Sequence, residues 1–248
     1  MANSRAIAVT GASRGIGAAI ATELARRGFT VGCLTRAGAT PGAGTLAKSE
    51  AQRLIGCRCD VTDEESVRAA LAELASRCGA IHGLVNNAGI HKDAPSHEMA
   101  TDLYESIMAV NATAVFSTCR EAYPHLVRAG GGTIVNIGSF FDRIGVKRNL
   151  AYCASKAAVG AMTRCLAVEW GAKDIRVLNI APGYIETDLN HDALASGPLH
   201  DYLAKRIPAG RHGTAVEVAR LVAAIISEDI PFLTGETIYI DGAQGIAH

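Results

Sequence analysis

Short apolar runs rich in β-branched residues alternate along this chain with longer stretches in which apolar positions recur every three or four residues. The short runs are typical of strands whose two faces are both covered by helices, although Arg53–Cys59 is more polar than the others. The pattern predicts seven strands, at Ala6–Val9, Thr30–Leu34, Arg53–Cys59, Gly83–Val85, Thr133–Ile137, Arg176–Ile180 and Thr237–Ile240.

The longer stretches predict helices between these strands. Repeated strand–helix alternation requires right-handed crossovers and favours a doubly wound α/β fold, with one seven-stranded parallel sheet and helices on both of its faces. The sequence has no internal repeat and no linker, so residues 1–248 are expected to form a single domain. The predicted helices are Ile16–Arg27, Glu64–Arg77, Asp102–Arg128, Ala151–Glu169 and Ala215–Ile226.

The segment Gly183–Gly213 is a long stretch without a predicted strand, and it is rich in Gly, Pro, His and Asp. It follows the carboxyl end of a strand, which is the edge where sheets of this kind bind ligands. We therefore expect a substrate lid at about residues 184–213.

Composition and charge narrow the function classes. The 248 residues carry 24 basic and 24 acidic side chains without a sustained basic run, so a nucleic-acid-binding surface is not expected. No stretch reaches the ~18 uninterrupted apolar residues of a membrane span, and the N-terminus lacks the apolar core of a signal peptide. Seven cysteines without a CxxC pair are typical of core thiols in a reducing compartment. We expect a cytoplasmic protein with no membrane partner and no metal site.

The stretch "VTGASRGIG" places Gly11, Gly15 and Gly17 between the first strand and the first helix. Glycines there permit a tight turn and let the backbone approach a pyrophosphate, which the helix N-terminus attracts. The spacing is G-x-x-x-G-x-G and differs from the common G-x-G-x-x-G. Taken alone, such a loop is weak evidence, because turns also use glycine for purely conformational reasons.

Tyr152 and Lys156 stand four positions apart in a predicted helix and therefore share one face. A phenol with a pKa near 10 is a poor acid–base group at neutral pH, but an ammonium within ~5 Å stabilises the phenolate. This spacing predicts a lysine that lowers the pKa of a catalytic tyrosine. The alternative is a surface pair on an amphipathic helix.

Two polar residues accompany that pair. Ser139 ends the strand "TIVNIGS" at the ligand-binding edge, where its hydroxyl could hold a substrate oxygen beside Tyr152; the alternative is a turn or cap serine. Asn111 lies in the mostly apolar stretch "MAVNATAVF", and its alternative is a buried amide that the backbone satisfies.

In this order, these motifs resemble the short-chain dehydrogenase/reductase family in its single-domain branch, and within it the 3-oxoacyl-[acyl-carrier-protein] reductases and their relatives. The resemblance covers essentially the whole chain and implies a Rossmann-type NAD(P)-binding fold. It rests on "TGASRGIG" (10–17), "CDV" (59–61), "NNAG" (86–89), Asn111, Ser139, "YCASK" (152–156) and "PGYIET" (182–187).

The resemblance implies a role for each catalytic residue. Tyr152 transfers the hydroxyl proton, and Lys156 lowers its pKa while binding the nicotinamide ribose. Ser139 orients the substrate oxygen, and Asn111 holds a water in the proton relay. The implied cofactor-binding residues are Gly11, Ser13, Arg14, Gly15, Ile16, Gly17, Arg36, Asp60, Val61, Asn87, Ala88, Gly89, Tyr152, Lys156, Pro182, Gly183, Ile185 and Thr187.

The end of the second strand bears on the choice of cofactor. A site that prefers NAD usually has an acidic residue there for the adenosine ribose, whereas this chain has Thr35 followed by Arg36. A guanidinium attracts the 2′-phosphate of NADP, and Arg14 is placed in the family to add a second cation. We expect NADP(H) to be favoured over NAD(H), unless Arg36 is a solvated loop arginine. The following "AGATPGAG" is expected to be a flexible surface loop.

The implied reaction interconverts a ketone and a secondary alcohol, with a 3-oxoacyl thioester of acyl-carrier protein or CoA as the first substrate candidate. The alternative is a sugar, polyol or cyclic alcohol. A non-catalytic NADP-binding regulator is disfavoured because all four catalytic positions are retained.

The chain departs from the carrier-protein reductases in two places. Gly130-Gly131-Gly132 stands where they tend to carry basic residues beside the site mouth, which leaves Arg128 and Lys173 as candidates. After Ser139, the bulky Phe140 and Phe141 are expected to narrow the pocket, and Asp142 and Arg143 to form a loop salt bridge.

The sequence also bears on assembly. The predicted helices Asp102–Arg128 and Ala151–Glu169 carry more apolar residues than one buried face requires, including Val115, Phe116, Met162 and Leu166. In the family these helices pair across a two-fold axis, and the C-terminal strand makes a second contact. A homotetramer is therefore expected.

Overall fold

A computed structural model describes residues 5–42, 46–187, 203–228 and 230–247. Seven strands form one parallel sheet in the order β3-β2-β1-β4-β5-β6-β9, which confirms the predicted fold class. The strands are β1 Ala6–Thr10, β2 Thr30–Thr35, β3 Leu54–Arg58, β4 Gly83–Asn86, β5 Gly132–Ile137, β6 Ile175–Pro182, β7 Ile185–Glu186, β8 Gly213–Thr214 and β9 Thr237–Ile240. The strand order reverses between β1 and β4, and such a switch point is where open α/β sheets bind ligands.

Helices cover both faces of this sheet and enclose two apolar cores. On one face α1 and α7 pack over β1, β2 and β4 to β6, and on the other α3, α5 and α6 pack over the same strands. Within the described ranges, no helix is long and apolar enough to cross a lipid bilayer. The helices are α1 Gly15–Arg26, α2 Lys48–Ala51, α3 Glu64–Cys78, α4 Thr101–Met108, α5 Ala114–Arg128, α6 Leu150–Trp170 and α7 Ala215–Ser227.

A row of buried amides ties α6 to the sheet. Asn86, Asn136 and Asn179 lie side by side on β4, β5 and β6. The Asn86 amide donates to Asn136 over 2.9 Å, and the Asn136 amide donates to Thr163 Oγ1 of α6 over 2.9 Å. Because buried polar groups need partners, these bonds favour one position of the helix that carries Tyr152 and Lys156.

Two predicted elements differ from the structure. The helix predicted over Asp102–Arg128 is divided into α4 and α5 by a π-helical turn at Ala109–Thr113, since the amide of Asn111 bonds to the backbone of Ile90. The segment predicted to have no strand contains β7, which pairs with β8 at the amino end of α7. Half of the predicted lid, residues 188–202, lies outside the described residues.

Candidate active site

The loop between β1 and α1 depends on the absence of side chains at its glycines. Gly11 and Gly15 adopt positive φ angles of +64° and +56°. A Cβ on Gly17 would lie 2.3 Å from the Gly11 carbonyl oxygen and 2.4 Å from Asn87 Nδ2. Backbone and side-chain packing, not only turn geometry, therefore requires glycine at position 17.

Thr10 and Asn87 join the carboxyl ends of β1 and β4 at the switch point. Thr10 Oγ1 accepts hydrogen bonds of 3.0 Å from the backbone N–H groups of Asn87 and Ala88. Asn87 Nδ2 donates to the carbonyls of Thr10 and Gly11 over 3.0 and 3.2 Å. The motif "NNAG" is thus tied directly to the glycine loop.

A cleft of about 470 Å³ opens above this junction, along the carboxyl ends of β1 to β4. It brings together most of the residues expected to bind a cofactor, and Thr187 reaches it from beyond β7. The expected residues that line it are Gly11, Ser13, Arg14, Gly15, Ile16, Gly17, Arg36, Asp60, Val61, Asn87, Ala88, Gly89 and Thr187.

Five expected cofactor residues do not line this cleft: Tyr152, Lys156, Pro182, Gly183 and Ile185. Gly183 is required by close packing, because a Cβ there would lie 2.7 Å from the Cα of Asp241. The Ile185 side chain is buried in the core beneath α7. Sequence reasoning missed further lining residues that immediately adjoin the motifs, namely Leu34, Cys59, Thr62, Ile90 and Val110.

Two arginines give one end of the cleft a positive charge. Arg14 and Arg36 both line it, and neither forms an ion pair with another residue in the described part of the chain. The nearby Asp60 has its pKa lowered by hydrogen bonds from Thr62, with a smaller contribution from Arg36.

The loop after Arg36 is packed at its start rather than free. Thr35 Oγ1 donates to the Ala39 carbonyl over 3.1 Å, and the Gly38 amide donates to the Thr35 carbonyl over 3.0 Å. A Cβ on Gly56 of β3 would lie 2.1 Å from the Gly38 carbonyl oxygen. The described portion is a surface loop whose start is held by these contacts, its flexibility stays a prediction, and residues 43–45 lie outside the described residues.

Ser139, Tyr152 and Lys156 meet beyond the carboxyl end of β5. The Ser139 hydroxyl lies near the Tyr152 phenol and acts to lower its pKa, and it accepts a hydrogen bond from the Phe141 amide over 3.3 Å. Lys156 Nζ lies 5.7 Å from the centre of the Tyr152 ring and donates to the Ile137 carbonyl over 2.8 Å. Tyr152 and Lys156 are therefore not a surface pair, since Lys156 is only 5% exposed.

The protein's own groups do not lower the pKa of Tyr152 as expected. Burial raises this pKa, and the neighbouring Ser139 hydroxyl offsets the rise only in part. Burial also lowers the pKa of Lys156 to about 8, because desolvation disfavours the ammonium. The Lys156 ammonium donates to the Ile137 carbonyl. Because the pKa of Tyr152 is raised above its ordinary value, the phenol remains protonated at neutral pH.

Asn111 occupies the π-helical turn and is fully buried. Its Oδ1 accepts from the Ile90 amide over 2.8 Å, and its Nδ2 donates to the Ile90 carbonyl over 2.9 Å and to Ser155 over 3.2 Å. π-Helical turns are frequent at functional sites. A Cβ on Gly89 would lie 3.3 Å from Asn111 Oδ1 and 3.8 Å from Lys156 Nζ, so both groups adjoin the cleft.

Aromatic rings surround Tyr152. The ring of Phe141 lies edge-on to Tyr152 at 5.9 Å and to Tyr184 at 6.1 Å, and Phe140 packs on both Phe141 and Tyr184. Both phenylalanine side chains are buried, and Phe141 packs directly against Tyr152.

The expected salt bridge between Asp142 and Arg143 is wrong. Asp142 accepts from the Tyr239 hydroxyl over 3.0 Å, and Arg143 pairs with Asp241 at 3.3 Å while stacking 3.6 Å above the Tyr239 ring. The partners of both side chains, Tyr239 and Asp241, therefore lie at the end of β9.

The two basic candidates for a carrier protein lie at the far edge of the sheet. Arg128 ends α5 just before β5 begins, and Lys173 precedes β6, whereas Ser139 follows the carboxyl end of β5. Gly131 packs against Asp174 at that far edge. Within one chain, neither cation borders the site.

A family model described as enoyl-(acyl carrier protein) reductase, from the short-chain dehydrogenases, matches residues 11–243. The chain is 37% identical to D-threitol dehydrogenase of Mycolicibacterium smegmatis, over 96% of this chain and 92% of that protein. It is 36% identical to a 3-oxoacyl-[acyl-carrier-protein] reductase of Vibrio harveyi, over 95% of each.

A solved structure gives the same result for the fold. The gluconate 5-dehydrogenase of Burkholderia cenocepacia, in complex with NADP and tartrate, is similar with a TM-score of 0.89. It is 33% identical, and the match covers 98% of this chain and 96% of that one. The chain belongs to the short-chain dehydrogenase/reductase family and is an oxidoreductase acting on CH–OH and C=O groups.

Proposed function

We propose that this oxidoreductase uses NADP(H) to interconvert a ketone and a secondary alcohol at Ser139, Tyr152 and Lys156. The observation that carries the proposal is the nearness of the Ser139 hydroxyl to the Tyr152 phenol, beside a cleft fitted to a dinucleotide. Two hydroxyl groups that converge on one point can both hold a carbonyl oxygen.

The cleft fits a nicotinamide dinucleotide by its shape and its donors. No Cβ can be placed on Gly17, and the α1 N-terminus carries no acidic residue in its first turn that would repel phosphate. Gly11 to Gly17 would hold the pyrophosphate, Asp60 and Val61 the adenine, and Lys156 the nicotinamide ribose. The bound cofactor supplies or accepts the hydride.

The remaining chemistry belongs to the chain's own side chains. In the reducing direction, the Tyr152 phenol gives its proton to the substrate oxygen while Ser139 donates a second hydrogen bond to it. A raised Tyr152 pKa keeps that proton available at neutral pH. Lys156 and Asn111, which flank Gly89, would return the proton through a water.

The preference for NADP(H) over NAD(H) is also a proposal. It is supported by two arginines in the cleft without ion-pair partners among the described residues, and by the absence of a carboxylate at Thr35. NADP occupies the similar gluconate 5-dehydrogenase structure.

Two substrate classes are consistent with the relatives, one a 3-oxoacyl thioester and the other a sugar, polyol or cyclic alcohol. The distance of Arg128 and Lys173 from the site weakens the case for an acidic carrier protein. The substrate test is a panel of ketones and alcohols from both classes, followed by absorbance of the reduced nicotinamide. A panel with no turnover in either direction would overturn the proposed activity.

We also propose a cytoplasmic homotetramer in which residues 1–248 form one domain. Phe116, Leu150 and Val168 on α5 and α6 are 45%, 47% and 85% exposed, which favours a partner for these helices. Val115 is buried within the chain and does not contribute. A light-scattering mass near one 25.8 kDa subunit at micromolar concentration would contradict the tetramer.

A further inference from the structure

His91 lies beside the catalytic tyrosine, although no motif points to it. Its ring stands edge-on to Tyr152, with ring centres 4.8 Å apart and planes at 76°. The preceding residue, Ile90, is held through both its N–H and its carbonyl by Asn111. The backbone that presents His91 is thus fixed to the same helix turn that borders the proposed proton relay.

A second contact holds the His91 segment from the other side. Asp93 and Arg148 form an ion pair at 2.6 Å, and the Ala94 amide donates to the Arg148 carbonyl over 3.0 Å. These bonds join the chain after His91 to the start of α6, which carries Tyr152. The segment that carries His91 is therefore held both before and after this residue.

Asn149 decides which ring nitrogen of His91 carries a proton. The Asn149 amide nitrogen donates to the Lys147 carbonyl over 2.9 Å, so its oxygen is the atom that faces His91 Nε2. A carbonyl oxygen can only accept, and Nε2 must then be the donor. In the neutral ring, this leaves Nδ1 as an acceptor, and within the described residues it has no hydrogen-bond partner.

We propose that His91 is a specificity-determining residue whose Nδ1 accepts a hydrogen bond from a hydroxyl on the carbon next to the reacting C=O. The proposal rests on the proposed function and selects within it: the substrate is a vicinal hydroxy ketone or diol. A 3-oxoacyl thioester has a methylene on the carbon next to the reacting C=O and a second carbonyl one carbon further, and neither group can donate a hydrogen bond to Nδ1.

The decisive comparison uses 1-hydroxybutan-2-one and butan-2-one, which differ by one hydroxyl. The wild type is expected to favour the hydroxy ketone by about tenfold in kcat/KM, the value of one neutral hydrogen bond. His91→Phe keeps an aromatic edge against Tyr152 but has no acceptor, so the ratio should fall to about one through loss on the hydroxy ketone alone. Its ratio of 1-hydroxybutan-2-one to acetoacetyl-CoA activity should fall likewise.

Two further variants serve as controls for this comparison. His91→Gln returns a carbonyl acceptor and should retain part of the preference, whereas His97→Phe, at an exposed histidine that does not line the cleft, should retain all of it. An unchanged ratio in His91→Phe, or a wild type without preference for the hydroxyl, would overturn the role of His91 while leaving the oxidoreductase activity intact.

A binding measurement is independent of turnover. In ¹⁵N spectra of the wild type at pH 8, the His91 signals, identified by their loss in His91→Phe, should show the Nε2–H tautomer. Propane-1,2-diol should shift the Nδ1 signal, and propan-2-ol should not. If no ketone is reduced, the proposed function fails and this titration alone decides; equal shifts with both alcohols, or an Nδ1–H tautomer, would overturn the proposal.

Discussion

The cofactor cleft and the substrate side lie at the same edge of the sheet but are built in different ways. The cleft is shaped mainly by backbone: Gly11, Gly15 and Gly17 leave room, and Thr10 and Asn87 bond to main-chain groups. The substrate side is made of side chains that converge from distant segments. A change in the first should alter binding, and a change in the second should alter turnover.

The two regions also differ in their electrostatics. The cleft carries the charges of Arg14 and Arg36 at an exposed edge, where water solvates them. The substrate side buries Lys156 with one carbonyl as its partner, and the cost appears as a pKa of about 8. Stability is therefore sacrificed on the substrate side and not in the cleft.

The largest effect is expected from Tyr152→Phe. The ring packing survives but the transferable proton is lost, so kcat should fall by ~10²–10⁴-fold while the Kd of the cofactor stays the same. Steady-state rates and cofactor titration measure the two quantities. The control is Tyr123→Phe, on α5 beside Trp170 at the carboxyl end of α6. Near-normal turnover in Tyr152→Phe would reject the assigned proton donor.

Arg36→Ala tests whether the cleft selects its cofactor by charge. A charge-assisted contact to phosphate contributes roughly 1.5–3 kcal/mol, so the NADPH-to-NADH ratio of kcat/KM should fall by about 10- to 150-fold. Thr35→Asp combined with Arg36→Ile should reverse the preference, and Arg77→Ala on α3 should not change it. A wild type that prefers NADH tenfold would show that Arg36 is a solvated loop arginine.

Gly17→Ala tests whether the backbone shapes the cleft. The added Cβ must displace Gly11 or Asn87, and such overpacking costs about 1–3 kcal/mol. Cofactor Kd should rise by about 5- to 150-fold, with a lower Tm. Gly171→Ala is the matched control, because nothing lies within 4 Å of its Cβ and its φ is −55°. Equal effects of the two substitutions would refute the steric explanation.

Lys156→Met tests the cost of the buried ammonium. Below pH 8 the lysine is charged in both the folded and unfolded states, and folding bears the full desolvation cost; this cost declines as pH rises from about 8 toward 10.5. At pH 7 the variant should be stabilised by about 2 kcal/mol, after allowing for the lost hydrogen bond to Ile137. Urea unfolding at pH 7 and pH 10 measures this, with exposed Lys173→Met as control. A gain that does not shrink with pH would contradict the assignment.

Much of this architecture follows from local patterns. The strands and helices were predictable because continuous apolar runs and 3.6-residue periodicity reflect burial within a single element, and the glycine loop because its spacing is local. The π-helical turn was not, since its cause is the backbone of Ile90, which lies 21 positions before Asn111. The packed start of the loop after Arg36 depends likewise on Gly56 of the neighbouring strand.

By itself, the sequence determined the sheet, the glycine loop and the shared face of Tyr152 and Lys156, because each depends on spacing along a few turns of chain. Tertiary structure alone decided that Arg143 pairs with Asp241, 98 positions away, and that His91 meets Tyr152. It also directed Lys156 Nζ to the Ile137 carbonyl, and the pKa of the buried Tyr152 phenol is raised. The physical reason is that the partner of a polar side chain is set by strand order and crossovers, which bring together residues whose local patterns carry no sign of each other.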